Sequence, residues 1–219
     1  TAKGSQQAEL TASLNLLQQN LPLSAQLQVQ RLQWPLQGAA DYRLIDSRLS
    51  AEGSLTDLVL ELQAQGQSPQ TGEADLTLEA NFKAPKLNWS RLQLNSDQGK
   101  LQSQGQLDLT EQSLAAQLAT TELQLAPWLP DYPGSLDARL QLSAAYQQQK
   151  WQLDLTELTA SGTVRQQPLQ LQGQLNVAGQ QLQISKFETT GLVLQHGSNQ
   201  LTAKGQLTDQ WQLQLQLDA

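Results

Sequence analysis

The sequence predicts an all-β protein built from antiparallel strands. Leucine or another apolar residue alternates with a polar residue, usually glutamine, along most of the chain, and most regularly over residues 211–217. Successive side chains of an extended chain point to opposite faces, so this period gives each strand one apolar and one polar face. In a helix the same leucines would be spread around the whole cylinder, leaving no face for a core.

A repeated glycine pattern is the second observation behind this prediction. An apolar residue is followed four positions later by glycine and two positions after that by another apolar residue. The copies are Leu49-Gly53-Leu55, Leu101-Gly105-Leu107, Leu158-Gly162-Val164, Leu169-Gly173-Leu175 and Leu201-Gly205-Leu207. Glycine inside a strand marks a bend, a bulge or a close approach of another group. On the apolar face it would let a sheet curl around that face.

Along the chain, the alternation predicts roughly sixteen short strands of the usual length. The apolar positions change parity between Val29 and Leu32 and between Leu155 and Leu158. Each change requires a bulge or a turn to keep the apolar side chains on one face. Turn-forming residues predict turns at 97–99, 177–179 and 196–199.

Residues 126–134 interrupt this pattern with three of the eight prolines. A proline-rich segment cannot form a central strand, and a short helical turn fits at Trp128 and Leu129. Two interpretations remain open. The segment is either a crossover loop in which Trp128 plugs one end of the core, or an element that docks or gates.

Composition limits the classes of partner. Hydrophobic residues make up 38% and aromatic residues 5% of the 219 residues, which suits a sheet with one apolar face. The net charge of -7 and the lack of Lys and Arg clusters argue against nucleic acid. No apolar run is long enough for a transmembrane helix.

The chain contains no cysteine and no methionine, even at position 1. Thr1-Ala2-Lys3-Gly4 matches Thr202-Ala203-Lys204-Gly205 in a later strand. We therefore expect a segment of a longer protein that continues upstream, cut inside a strand or at its edge. Its terminal strands would expose unpaired backbone and allow end-to-end pairing between copies.

No candidate catalytic, cofactor or metal site emerges from the sequence. His196 lies in a predicted surface turn, and carboxylates such as Glu52, Asp108, Asp154 and Glu188 lie on the polar parity, where solvated side chains are expected. Asn88-Trp89-Ser90 matches a glycosylation acceptor by chance. No nucleophile elbow, phosphate-binding loop or metal-ligand spacing is present. We expect a protein that is not an enzyme.

A one-sided sheet must bury its apolar face against something. A sandwich or barrel closed on itself, an outer-membrane barrel, and a folded sheet with a filled groove are the three solutions. Five scattered tryptophans do not form the aromatic girdles of a membrane barrel. Side chains of an almost uniform leucine lining interdigitate poorly in a packed core, but such a lining suits mobile acyl chains.

Two stretches resemble the TamB family of AsmA-like, bridge-forming lipid-transfer proteins, which belongs to the translocation and assembly module of Gram-negative bacteria. The first runs from Leu21-Pro22-Leu23 to Leu32-Gln33-Trp34-Pro35-Leu36-Gln37-Gly38. The second begins at Leu123-Gln124-Leu125 and passes through Gly134-Ser135-Leu136-Asp137-Ala138-Arg139-Leu140. It continues through Lys150-Trp151-Gln152-Leu153-Asp154-Leu155 to Gly162-Thr163-Val164, Leu171-Gln172-Gly173 and Leu175. The order and spacing of these pieces carry the resemblance.

The resemblance implies an elongated antiparallel β-meander folded lengthwise into a U-shaped groove with an apolar interior, a β-taco. Residues 1–219 would be one continuous segment of it, interrupted at 126–134. The implied function is a periplasmic conduit for phospholipid between the inner and outer membranes, in a parent protein anchored in the inner membrane. The implied partners are phospholipid acyl chains and, through the full-length protein, a TamA-like outer-membrane barrel.

Twelve leucines are predicted to line this groove. They are Leu101, Leu107, Leu109, Leu140, Leu142, Leu153, Leu155, Leu169, Leu171, Leu175, Leu213 and Leu215. Two other functions remain open: a scaffold that assembles outer-membrane proteins with the TamA barrel, and a structural periplasmic spacer with a closed β-sandwich fold.

Overall fold

The computed structural model describes residues 7–17, 21–35, 41–181, 183–207 and 211–218. The chain divides into two compact units, Thr1–Gln104 and Gly105–Ala219. In the described residues every regular element is a β-strand, and no helix there has the length and apolar character needed to cross a membrane. The expectation based on Thr1-Ala2-Lys3-Gly4 lies outside the described residues.

The first unit contains six complete strands. They are β1 (Gln7–Leu14), β2 (Pro22–Trp34), β3 (Tyr42–Ser54), β4 (Asp57–Ser68), β5 (Gly72–Lys83) and β6 (Lys86–Ser96). From β1 to β6, consecutive strands pair antiparallel.

Strand β7 (Gly99–Asp108) runs from the first unit into the second, which contains seven further strands. They are β8 (Ser113–Gln124), β9 (Gly134–Gln147), β10 (Lys150–Val164), β11 (Gln167–Gln180), β12 (Gln183–His196), β13 (Asn199–Leu207) and β14 (Trp211–Asp218). These strands also pair antiparallel in chain order. The prediction of an all-β antiparallel meander is confirmed. The single continuous segment over 1–219 stays a prediction.

The strands are longer than the short strands that the sequence predicted. They contain between 8 residues in β1 and 15 in β10, because the changes of parity are absorbed by bulges inside strands. In β10 the register shifts between Leu155 and Leu158. In β3 it shifts between Ile45 and Arg48, where Asp46 has a positive φ of 48°.

Two of the three predicted turns are present. One separates β6 from β7 at Asp97 and Gln98, and the other separates β12 from β13 at Gly197 and Ser198. The predicted turn at 177–179 is wrong, because these residues belong to β11. Glycine is common both in turns and at sites of close approach inside strands, so Gly179 does not distinguish the two from sequence.

Two of the repeated glycines on the apolar face lie where a neighbouring strand approaches closely, which is one of the roles that the pattern predicted. Gly162 and Gly173 have φ values of 157° and 156°, a region that L-residues with a side chain rarely adopt. A Cβ atom at Gly162 would also collide with the carbonyl oxygen of Ser135 on the neighbouring strand. These positions therefore require glycine for both its backbone freedom and its small size.

Candidate functional site

The register of the first unit aligns leucines from β1 to β6 in one row across the sheet. Residues directly opposite each other in antiparallel strands carry their side chains on the same face. The row consists of Leu10, Leu27, Leu49, Leu62, Leu78 and Leu92. Two adjacent rows are also apolar: Ala12, Ala25, Ala51, Leu60, Ala80 and Trp89, and then Leu14, Leu23, Gly53, Leu58, Phe82 and Leu87. No charged side chain interrupts these three rows.

The opposite face of the first unit is polar. The row next to the leucine row consists of Glu9, Gln28, Arg48, Gln63, Thr77 and Gln93. Along β4 the contrast is regular, since Leu58, Leu60 and Leu62 are half-buried while the residues between them are exposed. The two faces differ in chemistry as the alternation predicted.

The second unit has corresponding apolar rows, which contain seven of the twelve predicted lining residues: Leu140, Leu142, Leu153, Leu155, Leu169, Leu171 and Leu175. One row consists of Leu114, Ala144, Leu153, Val177, Phe187 and Leu207. Another consists of Ala138, Ala160, Leu171, Leu194 and Leu201. Three further rows cross β9, β10 and β11. They are Leu142, Leu155 and Leu175; Leu140, Leu158 and Gly173; and Leu136, Gly162 and Leu169. All seven predicted residues are half-buried.

The other five predicted lining residues lie in or beside β7 and β14. Leu101 and Leu107 are half-buried in β7, whereas Leu109 follows the end of that strand and is 54% exposed. Leu215 is in β14 and 63% exposed. Leu213 occupies the same strand, but its side chain is outside the described part. Their assignment to a groove stays a prediction.

The apolar faces are not packed as a closed core. In the described part of the chain no large side chain is fully buried, and the buried hydrophobic residues are the small ones Val29, Ala80, Val164 and Ala203. Leu10, at the start of the leucine row, is 70% exposed. A second layer packed on these rows would bury such side chains, so each unit presents a broad apolar surface.

The twelve lining residues predicted from the sequence include none of the residues in these three rows of the first unit. The alternation of Leu58, Leu60 and Leu62 with polar residues in β4 is a signal that could have found them.

Four of the five titratable residues that the sequence placed in solvent are partly or fully buried, the exception being Glu52. His196 is the last residue of β12 rather than a surface turn residue, and its Nε2 atom donates to the carbonyl oxygen of Val164 at 3.0 Å. Asp108 is only 7% exposed, because its Oδ1 atom accepts hydrogen bonds from the backbone N–H groups of Thr110 and Glu111. These contacts hold turns and strand ends in place. They depend on local backbone geometry that the alternation does not show.

Two other carboxylates are half-buried with polar partners. Asp154 accepts hydrogen bonds from Asn176 and Gln152, and Glu188 forms an ion pair with Lys186 at 2.6 Å. Glu52 is exposed, as expected. Among the described residues no group of three potential metal ligands lies together.

The proline-rich segment connects β8 to β9 and contains a tight turn. The N–H groups of Trp128 and Leu129 both donate to the carbonyl oxygen of Leu125, at 3.0 and 2.8 Å. The prediction that Trp128 plugs the core is wrong, since its side chain is 46% exposed.

A comparison with models of protein families identifies the family to which the whole chain belongs. The model described as "TamB, N-terminal domain" matches residues 1–219. The chain belongs to the TamB family. No solved structure matches the chain. TamB-family domains are periplasmic and take part in outer-membrane assembly and lipid transport, in general with a TamA partner. The apolar faces described above are thus a property of a TamB N-terminal domain.

Proposed function

We propose that the apolar faces of this TamB-family segment bind the acyl chains of phospholipid and form part of a hydrophobic conduit through the periplasm. The leucine row from Leu10 to Leu92 supports this proposal most directly. It joins leucines from six successive strands, and their side chains remain accessible. Exposed apolar patches of this extent mark surfaces that bind a partner, a membrane or a ligand.

The physical basis is the transfer of hydrocarbon out of water. Each CH₂ group of an acyl chain that leaves water for an apolar surface gains about 0.8 kcal/mol. A wall made mostly of leucine offers similar contacts at each step along the sheet, so a chain can move without a large barrier. Headgroups would stay in water beside the sheet. This function requires no catalytic residue.

Charge placed on the apolar face tests the proposal. Leu171→Asp and Leu153→Asp change half-buried side chains on the apolar face, whereas Gln172→Asp adds the same charge to an exposed residue beside Leu171. Burying an unpaired polar group costs about 1–3 kcal/mol by mutational measurements. Since 1.4 kcal/mol corresponds to a factor of ten in affinity, we expect lipid binding to fall about tenfold in the first two variants.

The measurement is the amount of phospholipid that remains bound after the purified chain has been incubated with vesicles of phosphatidylethanolamine and phosphatidylglycerol and separated by gel filtration. Mass spectrometry quantifies the bound lipid, and far-UV circular dichroism verifies the fold. Gln172→Asp should bind as much lipid as the unmodified chain. If all three folded variants bind equally, acyl chains do not use this face. A scaffold acting with the TamA barrel, or a structural spacer, then becomes the better explanation.

A further inference from the structure

The apolar face of the first unit contains a depression between β2 and β6. Its volume is about 290 Å³, near the lower end of the roughly 300–1,000 Å³ found for small-molecule pockets. Leu32, Leu44, Leu76 and Leu94 are among the residues that line it, together with the small residues Ala64, Gly66 and Ala74. Because small side chains leave space above the backbone, we take these three residues as its floor.

Strand register creates this depression. Leu32 is opposite Leu44, which is opposite Gly66, and Gly66 is opposite Ala74. Side-chain size therefore falls sharply from β3 to β4 within one row. A Cβ atom at Gly66 would lie 2.7 Å from the carbonyl oxygen of Arg43, so close strand contact restricts this position to glycine. The row that begins with Leu32 and Leu44 therefore has a gap at Gly66 and Ala74.

Two aromatic residues stand at one end of the depression. Trp34 is opposite Tyr42 at the end of the β2–β3 pair, and their side chains are 63% and 46% exposed. The hydroxyl groups of Ser68 and Thr71, which are 2.8 Å apart, lie at the same end of the pocket. Tryptophan and tyrosine favour boundaries where one part of the ring is in an apolar environment and the polar group is near water. The pocket therefore has an apolar floor and an amphipathic end.

The backbone around the pocket favours hydrocarbon over peptide. Strands β3, β4 and β5 are each hydrogen-bonded to a neighbour on both sides. An extended peptide lying in the pocket would lose water from its own N–H and C=O groups without gaining partners from these strands. An acyl chain has no such groups to satisfy.

We propose that this pocket holds one acyl chain of a bound phospholipid at a fixed position, with Trp34 and Tyr42 contacting the part of the chain nearest the glycerol. This inference rests on the proposed function, because it assumes that acyl chains bind the apolar face. The inference adds one preferred binding position for an acyl chain on the apolar face of the first unit.

Quenching of tryptophan fluorescence by a phospholipid with brominated acyl chains tests the inference. The contribution of Trp34 is the difference in quenching between the unmodified chain and Trp34→Phe. Ala64→Phe fills the pocket from its floor, and Ala160→Phe adds the same side chain to a half-buried position on the apolar face of the second unit. We expect Ala64→Phe to reduce the Trp34 quenching at least twofold and Ala160→Phe to leave it unchanged.

Ala74→Leu fills the same pocket by a smaller change and replaces Ala64→Phe if that variant does not fold, as judged by far-UV circular dichroism. Equal Trp34 quenching in the pocket-filling and Ala160→Phe proteins would overturn the inference while leaving the proposed function intact. Absence of bound lipid and of quenching in the unmodified chain would overturn both.

Discussion

The indole of Trp151 covers Gly179 on the neighbouring strand. The two residues are directly opposite in the β10–β11 pair, and a Cβ atom at Gly179 would lie 2.5 Å from the ring atom Cζ2. The Nε1 atom of Trp151 donates to the carbonyl oxygen of Gln181 at 3.0 Å. The aromatic ring thus occupies the space that the glycine leaves and connects the strand to the turn that follows.

This contact predicts that Gly179→Ala destabilises the protein. The new methyl group would overlap both the indole and the carbonyl oxygen of Gln183. Forcing an additional group into such a space costs about 1–3 kcal/mol, which urea unfolding would detect as a lower midpoint. Gly191→Ala is the control, because a Cβ atom there meets nothing within 4 Å. Equal midpoints for the two variants would contradict the prediction.

The leucine row predicts a difference in stability between adjacent residues of β4. Leu62 lies between Leu49 and Leu78 and is half-buried, whereas Gln63 is exposed on the opposite face. We expect Leu62→Ala to lower the free energy of unfolding by about 1–2 kcal/mol, less than for a fully buried leucine. Gln63→Ala should change it by no more than about 0.5 kcal/mol. Similar losses in both variants would show that the row does not stabilise the sheet.

Arg165 is predicted to hold the proline-rich segment in place. Its guanidinium lies 4.5 Å from the centre of the Tyr132 ring, and its Nε atom donates to the carbonyl oxygen of Asp131 at 2.8 Å. Arg165→Lys keeps the charge but loses the planar group, with an expected cost of about 0.5–1 kcal/mol at this exposed site.

The measurement is hydrogen exchange of the Tyr132 amide, which donates to Leu129 and should exchange severalfold faster in Arg165→Lys. Arg91→Lys, in an exposed ion pair with Glu79 elsewhere in the chain, serves as the control. Unchanged exchange in Arg165→Lys would mean that the Arg165 side chain does not hold the segment, which backbone hydrogen bonds such as that from Arg165 N–H to Pro133 would then hold.

Thr189 is predicted to stabilise the irregularity in β12. It is only 2% exposed, and its hydroxyl donates to the carbonyl oxygen of Gln174 at 2.8 Å, beside the register shift that follows Thr189. Thr189→Val retains the shape but leaves this carbonyl without the hydroxyl donor, at an expected cost of about 1–3 kcal/mol. Thermal unfolding would measure the loss. Thr190→Val, at an exposed neighbour, should have little effect, and a larger loss there would contradict this role.

Side-chain period alone predicted much of the architecture. In β4 and β11, alternating leucine and glutamine assigned each residue to a face, and the structure has half-buried leucines and exposed glutamines there. Thr189 and Asp108 could not be found in this way. Their burial depends on hydrogen bonds to particular backbone groups at a bulge and a turn, and such groups are positioned only when the strands pair.

The sequence by itself determined which side chains share a face, because an extended backbone has a fixed period of two. Only the tertiary structure decided which residues of neighbouring strands are opposite each other. The change of parity between Leu155 and Leu158 predicted a bulge or a turn there, but only strand pairing placed Leu155 opposite Leu142 and Leu175 and Leu158 opposite Leu140 and Gly173. In the same way, Gly66 and Ala74 form one depression because β4 and β5 pair in a particular register. Register depends on turn geometry and on packing across strands, and neither is contained in the period of a single strand.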